Sequence, residues 1–281
     1  MTYNRKKYKH RSRRQKVLIQ LTVSVILLLV VCISGMFCAE AAKATDFSRK
    51  NLMPCWNYLF GTDWLGRDML VRTLRGISLS ILIGILAAAV SAGIALILGV
   101  SSAIFGKAVD TVISFWIDLV MGIPHILLLI LISVALGKGL KGVVFGVAFT
   151  HWPSLARLIR AEVIQLKESP YIQIAEKMGK SKWYIVRKHM MPHLIPQFFV
   201  GLILLFPHAI LHESSVTFLG FGLSTEQPAI GIILSESMKY LVTGKWWLAL
   251  FPGILLVTIV ILFYVIGENL RKLTDPASVH E

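Results

Sequence analysis

ISLSILIGILAAAVSAGIALILGVSSAIF, Ile77–Phe105, is a run of 29 residues without a charge. A helix needs roughly 20 apolar residues to cross the hydrocarbon core of a bilayer. Five further runs have the same character. Val17–Cys38 has 22 residues and no charge, and Trp246–Gly267 has 22 and none. Thr111–Leu136 has 26 residues with Asp118 as its one charge, and Leu194–Gly222 has 29 with Glu213. Gly142–Ile159 is the weakest, 18 residues with Arg157 near its end. The expectation is an all-α polytopic membrane protein with six transmembrane helices. A composition of 56% hydrophobic and 16% charged residues fits that class and not an ordinary soluble domain.

The first run follows a basic segment and precedes small residues (Ala39, Ala41, Ala42, Ala44), as a cleaved leader would. Its apolar length exceeds the roughly 7–15 residues of a signal core, so it reads as an anchor. Lys and Arg set the orientation. With both ends inside, the inner segments carry 19 and the outer ones 10. The chain then divides into a cytoplasmic basic tail (1–16), a first transmembrane helix (17–38), an external loop (39–76), a five-helix core (77–267) containing an inner loop at 156–192, and a cytoplasmic C-terminal tail (268–281). The net charge of +14 centres on RKKYKHRSRRQK, Arg5–Lys16. Beside a first span such a patch holds that end near anionic lipid, and no nucleic-acid partner is expected. Cys32, Cys38 and Cys55 form no CxxC and imply neither a metal cluster nor a disulfide framework. Gly84, Ala88 and Ala92 place a small residue every fourth position, which fits a close helix contact and equally the ordinary Ala/Gly content of membrane helices.

The inner loop reads ARLIRAEVIQLKESPYIQIAEKMGKSKWYIVRKHMMP, Ala156–Pro192. Ser169-Pro170 is a helix start, a capping hydroxyl followed by a residue suited to the first turn. Ile172, Ala175 and Gly179 share one face, and Gly179 is placed to end the helix. Ser181 begins a second short helix that brings Trp183, Val186 and Met190 to one side and stops before Pro192. Two short helices around a glycine suit a docking element or an amphipathic loop lying on lipid.

This loop resembles the cytoplasmic loop of ABC importer permeases, E-A-A-x-x-x-G-x9-I-x-L-P. Ala175, Gly179 and Pro192 match, whereas Gln173, Ile174, His189 and Met191 depart from it. Three more blocks are similar to the peptide and nickel branch of that family: GTDWLGRDMLVRTLRGISLS (Gly61–Ser80), Trp152–Arg160 with its W-P-x-x-A-R-x-x-R spacing, and SSVTFLGFG (Ser214–Gly222). The resemblance implies a permease subunit, not itself an enzyme, in the bacterial or archaeal cytoplasmic membrane. It implies a homologous second permease, two ATPase subunits that carry ATP and Mg, and an extracytoplasmic solute-binding protein. On this reading Tyr171, Ala175, Met178, Gly179 and Pro192 belong to the ATPase-coupling loop.

No bound cofactor is expected on this chain itself. Gly61–Asp68 has two glycines at phosphate-loop spacing but ends in Arg67-Asp68, and Gly179-Lys180-Ser181 lacks the first glycine, replaced by Ile174. His212-Glu213 opens like the zinc-protease motif HExxH, but Val216 stands where the second histidine is required, so an intramembrane protease is disfavoured. A channel would leave the inner-loop motif without a use. Ionisable residues inside spans usually face a bundle interior or a water path. Asp118, His151, His208, His212 and Glu213 are the pathway candidates, with Asp118 also suited to a charge pair and His125 suited to headgroups or a backbone carbonyl. Pro124 and Pro207 are expected to loosen their helices locally. His208 and His212 share a helix face and are candidate transient metal ligands. Thr150-His151-Trp152 and Pro207–His212 resemble the S-H-W and H-x-x-x-H patterns of nickel permeases. That resemblance implies nickel or a metal chelate as cargo, with di- or oligopeptides as the alternative.

Overall fold

The computed structural model describes residues 2–274, with side chains from Arg14 onward. The expected tail 268–281 therefore lies outside the described residues from position 275. Helices account for the fold: α1 (Thr2–Phe37), α2 (Met69–Ile104), α3 (Lys107–Gly122), α4 (His125–Ala135), α5 (Gly139–Lys167), α6 (Pro170–Lys177), α7 (Lys182–Ile185), α8 (Met191–Phe218), α9 (Ile230–Leu241) and α10 (Trp247–Thr274). A π-helical turn, Val186–Met190, joins α7 to α8. Pro192 has no N–H to give, so an i→i−4 ladder cannot run unbroken through this junction.

Four helical stretches are long and apolar enough to cross a membrane: Arg14–Phe37, Met69–Ile104, Lys182–Phe218 and Trp247–Thr274. The third expected span is not one rod. It breaks at Gly122–Pro124 into α3 and α4, bent by 99°, and counts as a fifth span only if the pair is taken together. Pro124 cannot donate a backbone hydrogen bond and biases Ile123 away from helical geometry, so the helix stops and restarts. Pro207 has no such effect and stays inside α8. The weakest expected span became α5, a 29-residue helix that is not apolar enough to qualify alone. Packed against α2, α4 and α8, it has little surface to present to lipid.

Two helices begin or end away from the charge-free runs. α2 starts eight residues before Ile77, because Asp68 caps it by accepting from the amides of Leu70 (2.8 Å) and Val71 (3.4 Å). α5 continues through Arg157 and Arg160 to Lys167, so the first third of the inner loop is helix.

α2 is the hub, packed against α1, α5, α8 and α9. Its face of small residues is buried: Gly84, Ala88, Ala92, Ala95 and Gly99. A β-carbon at Gly84 would lie 2.7 Å from Ile210 of α8, and one at Gly99 2.7 Å from the Ala156 carbonyl of α5. The stripe is a helix contact, not background composition. The opposite face exposes Leu82, Ile85, Leu86, Val90 and Ile97, as lipid contact requires. α1 rests on α2 and α10 and leaves most of its apolar side chains uncovered.

Candidate functional site

At one end of the molecule the inner loop folds back on the bundle. Lys167 donates to the Ala103 carbonyl at the C-terminus of α2 (3.0 Å). Two ion pairs join α3 to α5 nearby. Arg160 grips Asp110 with two bonds of 2.6 Å, and Ser102 also donates to Asp110. Arg157 meets Asp118 at 2.5 Å. Both arginines of the W-P-x-x-A-R-x-x-R block thus hold α5 to α3, and Asp118 is a member of an exposed charge pair.

Within the loop, Gly179 has φ +75°. Its amide donates to Glu176 (2.9 Å) and that of Lys180 to Ala175 (3.2 Å), the paired 5→2 and 6→1 bonds of a Schellman stop. A β-carbon at Gly179 would meet nothing within 4 Å, so glycine is needed here for its backbone and not for space. Ile172 is fully buried and Ala175 is only 7% exposed. Ala175, expected on the docking surface, packs inward and holds α6 to the protein. The uncovered apolar surface consists of Ile174, Met178 (71% exposed) and Trp183 (72%), with Tyr171 and Tyr184 at its margin. Pro192 lies at the start of α8.

Midway along the bundle three imidazoles converge. His125 opens α4, His151 lies in α5 and His212 in α8. Ring centroids are 4.4 Å apart for His125–His151, 4.4 Å for His125–His212 and 5.0 Å for His151–His212. The expected pair was His208 with His212. His208 is exposed and lies outside this group, and its place is taken by His125, which the break at Pro124 turns toward α5 and α8. Glu213 does not join them. It is fully buried and accepts from Thr217 (3.0 Å), Ser214 (3.2 Å) and the Ser80 hydroxyl of α2. Ser80 also accepts from the Ile230 amide at the start of α9 (3.4 Å). Glu213 therefore ties α8, α2 and α9 together.

At the N-terminal end of α2, a helix about 54 Å long at 1.5 Å per residue, the loop before Met69 forms a second polar centre. Asp63 is completely buried and accepts from the amides of Leu65 and Arg67 (2.9 Å each), Arg67 Nε (2.6 Å) and Arg72 Nη1 (3.0 Å). Arg72, itself buried, also reaches Glu236 of α9 at 2.5 Å. Trp64 stacks on Tyr240 and lies under both guanidinium groups. Gly66, at φ +76°, presses on the Asp46 carbonyl, where a β-carbon has no room. Neither Arg72 nor Glu236 stood out in the sequence, because the two are 164 residues apart.

The family profile described as "Binding-protein-dependent transport system inner membrane component" matches residues 80–277. The oligopeptide transport system permease protein OppC of Bacillus subtilis (strain 168) is 30% identical over 259 residues, covering 92% of this chain and 85% of that protein. The dipeptide transport system permease protein DppC of the same organism is 27% identical over 276 residues, covering 98% and 86%. DppC of Alkalihalophilus pseudofirmus is 29% identical over 272 residues, covering 97% and 89%. Among solved structures, a chain of the MetNI methionine ABC transporter in inward-facing conformation aligns with TM-score 0.60 at 20% identity, covering 74% of this chain and 98% of that one. At that identity the likeness concerns the fold.

Proposed function

This chain belongs to the binding-protein-dependent transport system inner membrane component family, and from that premise we propose that it forms half of a peptide pathway through the cytoplasmic membrane, driven by ATPase subunits on its inner side. As a permease subunit of an ABC importer it is not itself an enzyme. The observation that carries the finer reading is the uncovered apolar surface of Ile174, Met178 and Trp183 on a helix–glycine–helix element fixed to the bundle. A loop meant for lipid headgroups would keep its amphipathic face against the bilayer. This one has buried its own inward face at Ile172 and Ala175 and offers a second apolar face outward. An ATPase groove is the partner of that chemistry, and the orientation that follows puts both termini and the inner loop in the cytoplasm. A homologous second permease completes the pathway, and a solute-binding protein delivers cargo at the end bearing Asp63 and Arg72.

The relatives' names favour di- or oligopeptides as cargo over the nickel suggested by the histidine motifs. A pathway for peptides must tolerate varied side chains, which suits a subunit whose spans carry few fixed charges. The test is uptake of radiolabelled di-, tri- and tetrapeptides in a strain lacking this chain. Energy-dependent uptake restored by the chain supports the peptide reading. Peptide uptake equal with and without it, in a strain lacking other peptide importers, refutes it.

A further inference from the structure

We infer that His125, His151 and His212 form a binding site for one divalent first-row transition-metal ion, a site that does not depend on what the importer carries. The ring nitrogens available as ligands all lie within 4.8 Å of one another and come from three different helices. His151 is 8% exposed, whereas His125 and His212 are half-buried, so the group is closed on one side and reachable on the other.

The tautomer of His151 is set by its surroundings. Its Nδ1 lies 2.9 Å from the Val147 carbonyl, with the Thr150 hydroxyl at 3.2 Å. A carbonyl only accepts, so Nδ1 carries the proton and Nε2 carries the lone pair. That Nε2 is buried and has no hydrogen-bond partner among the described residues, and neither has Nε2 of His125. A backbone carbonyl holding the remote N–H while the near nitrogen is left bare is the usual second-shell arrangement of a metal-binding histidine. Simple packing would leave these two buried ring nitrogens unpaired, which folded proteins generally avoid.

Imidazole donors without a carboxylate or thiolate suit Zn, Cu, Ni or Co better than Mg or Ca. Nitrogen ligands about 2.0–2.1 Å from a tetrahedral ion stand roughly 3.4 Å apart. The present separations therefore need closing by side-chain rotation, which the two half-buried rings permit. Three ligands leave a fourth position open to water or to a donor atom of the cargo. Glu213 is committed to Ser80, Ser214 and Thr217 and contributes no charge to the site.

The experiment uses the full chain, with whatever subunits accompany it, purified in detergent through a histidine-free tag and stripped with chelator. Co²⁺ is the probe, read by its visible absorption, with Zn²⁺ as competitor. One Co²⁺ per chain with a nitrogen-ligated tetrahedral or five-coordinate spectrum, displaced by Zn²⁺, is expected. His125→Ala, His151→Gln and His212→Gln should each weaken binding by at least the roughly 10–100-fold that loss of an outer-shell partner costs. His208→Ala should leave it unchanged. Each variant is checked for wild-type elution as a monodisperse particle, and any one of the three that passes suffices for the comparison. No stoichiometric Co²⁺ on the wild-type chain overturns the inference. Binding that survives in a well-folded His125→Ala, His151→Gln or His212→Gln chain, or that is lost equally in His208→Ala, overturns it as well.

Discussion

Replacing Asp63 by Ala should unfasten the polar centre at the N-terminal end of α2. The carboxylate is completely buried and accepts four bonds of 2.6–3.0 Å, two of them from guanidinium groups. Removing one partner of a buried ion pair costs about 3–5 kcal/mol, because the other charge stays behind without compensation. Here Arg72 keeps Glu236, whose side chain is one-fifth exposed, so the lower end applies: about 3 kcal/mol, or roughly a 150-fold fall in the folded-to-unfolded ratio. Asp63→Asn keeps an acceptor for the Leu65 and Arg67 amides and should cost less. SDS titration of the purified chain in mixed micelles gives the difference. Arg72→Met, made alone and with Asp63→Ala, completes a double-mutant cycle in which the two changes should be strongly non-additive. A chain with Asp63→Ala within about 0.5 kcal/mol of wild type, or strictly additive single changes, would refute the reasoning.

At Gly179 the left-handed backbone predicts a graded series: Asn is tolerated best, Ala costs about 1–2 kcal/mol of local turn stability, and Asp inserts normally yet uncouples uptake. Membrane levels measured beside peptide uptake check this. Exchanging the charges of the α3–α5 clamp separates pairing from mere polarity: Asp110→Arg alone should lower thermal stability, and adding Arg160→Asp should recover a large part of it. For topology, in a chain whose Cys32, Cys38 and exposed Cys55 are replaced by Ala, a maleimide that cannot cross membranes should label Trp56→Cys in intact cells and spare Trp183→Cys, both highly exposed side chains. Thr62 is fully buried and reports poorly on this question.

Much of the fold was legible because a bilayer leaves long uncharged runs as its signature, and α1, α2, α8 and α10 follow from them directly. Helix limits were misjudged where charges were neutralised at a distance. Arg72 looked like the edge of an outer loop, but its partners Asp63 and Glu236 bring it inside α2. The fourth run was weak for a physical reason: a helix enclosed by its neighbours need not look apolar all round. The loop's Gly179 stop was readable from local capping chemistry, and its start from Pro170 in the first turn, although the Ser169 hydroxyl does not cap the helix as expected and donates to the Leu166 carbonyl instead. Which face of α6 would be free was not, since burial of Ile172 and Ala175 depends on contacts that periodicity cannot assign to one partner or another. The histidine group shows the same division. Spacing proposed His208 with His212 on one helix, whereas the convergence of His125, His151 and His212 requires the turn at Pro124.

The central claim is that Ile174, Met178 and Trp183 meet an ATPase. Site-directed cross-linking in native membranes tests it most directly, using a chain in which Cys32, Cys38 and Cys55 are replaced by Ala and a single cysteine stands at Met178. The account predicts a cross-link to a protein carrying a phosphate-binding loop, weakened when nucleotide changes the ATPase state, and none from Val242→Cys, which is 92% exposed on a different loop. A transport-active chain that gives no ATPase adduct from Met178→Cys, or gives it equally from Val242→Cys, would contradict it.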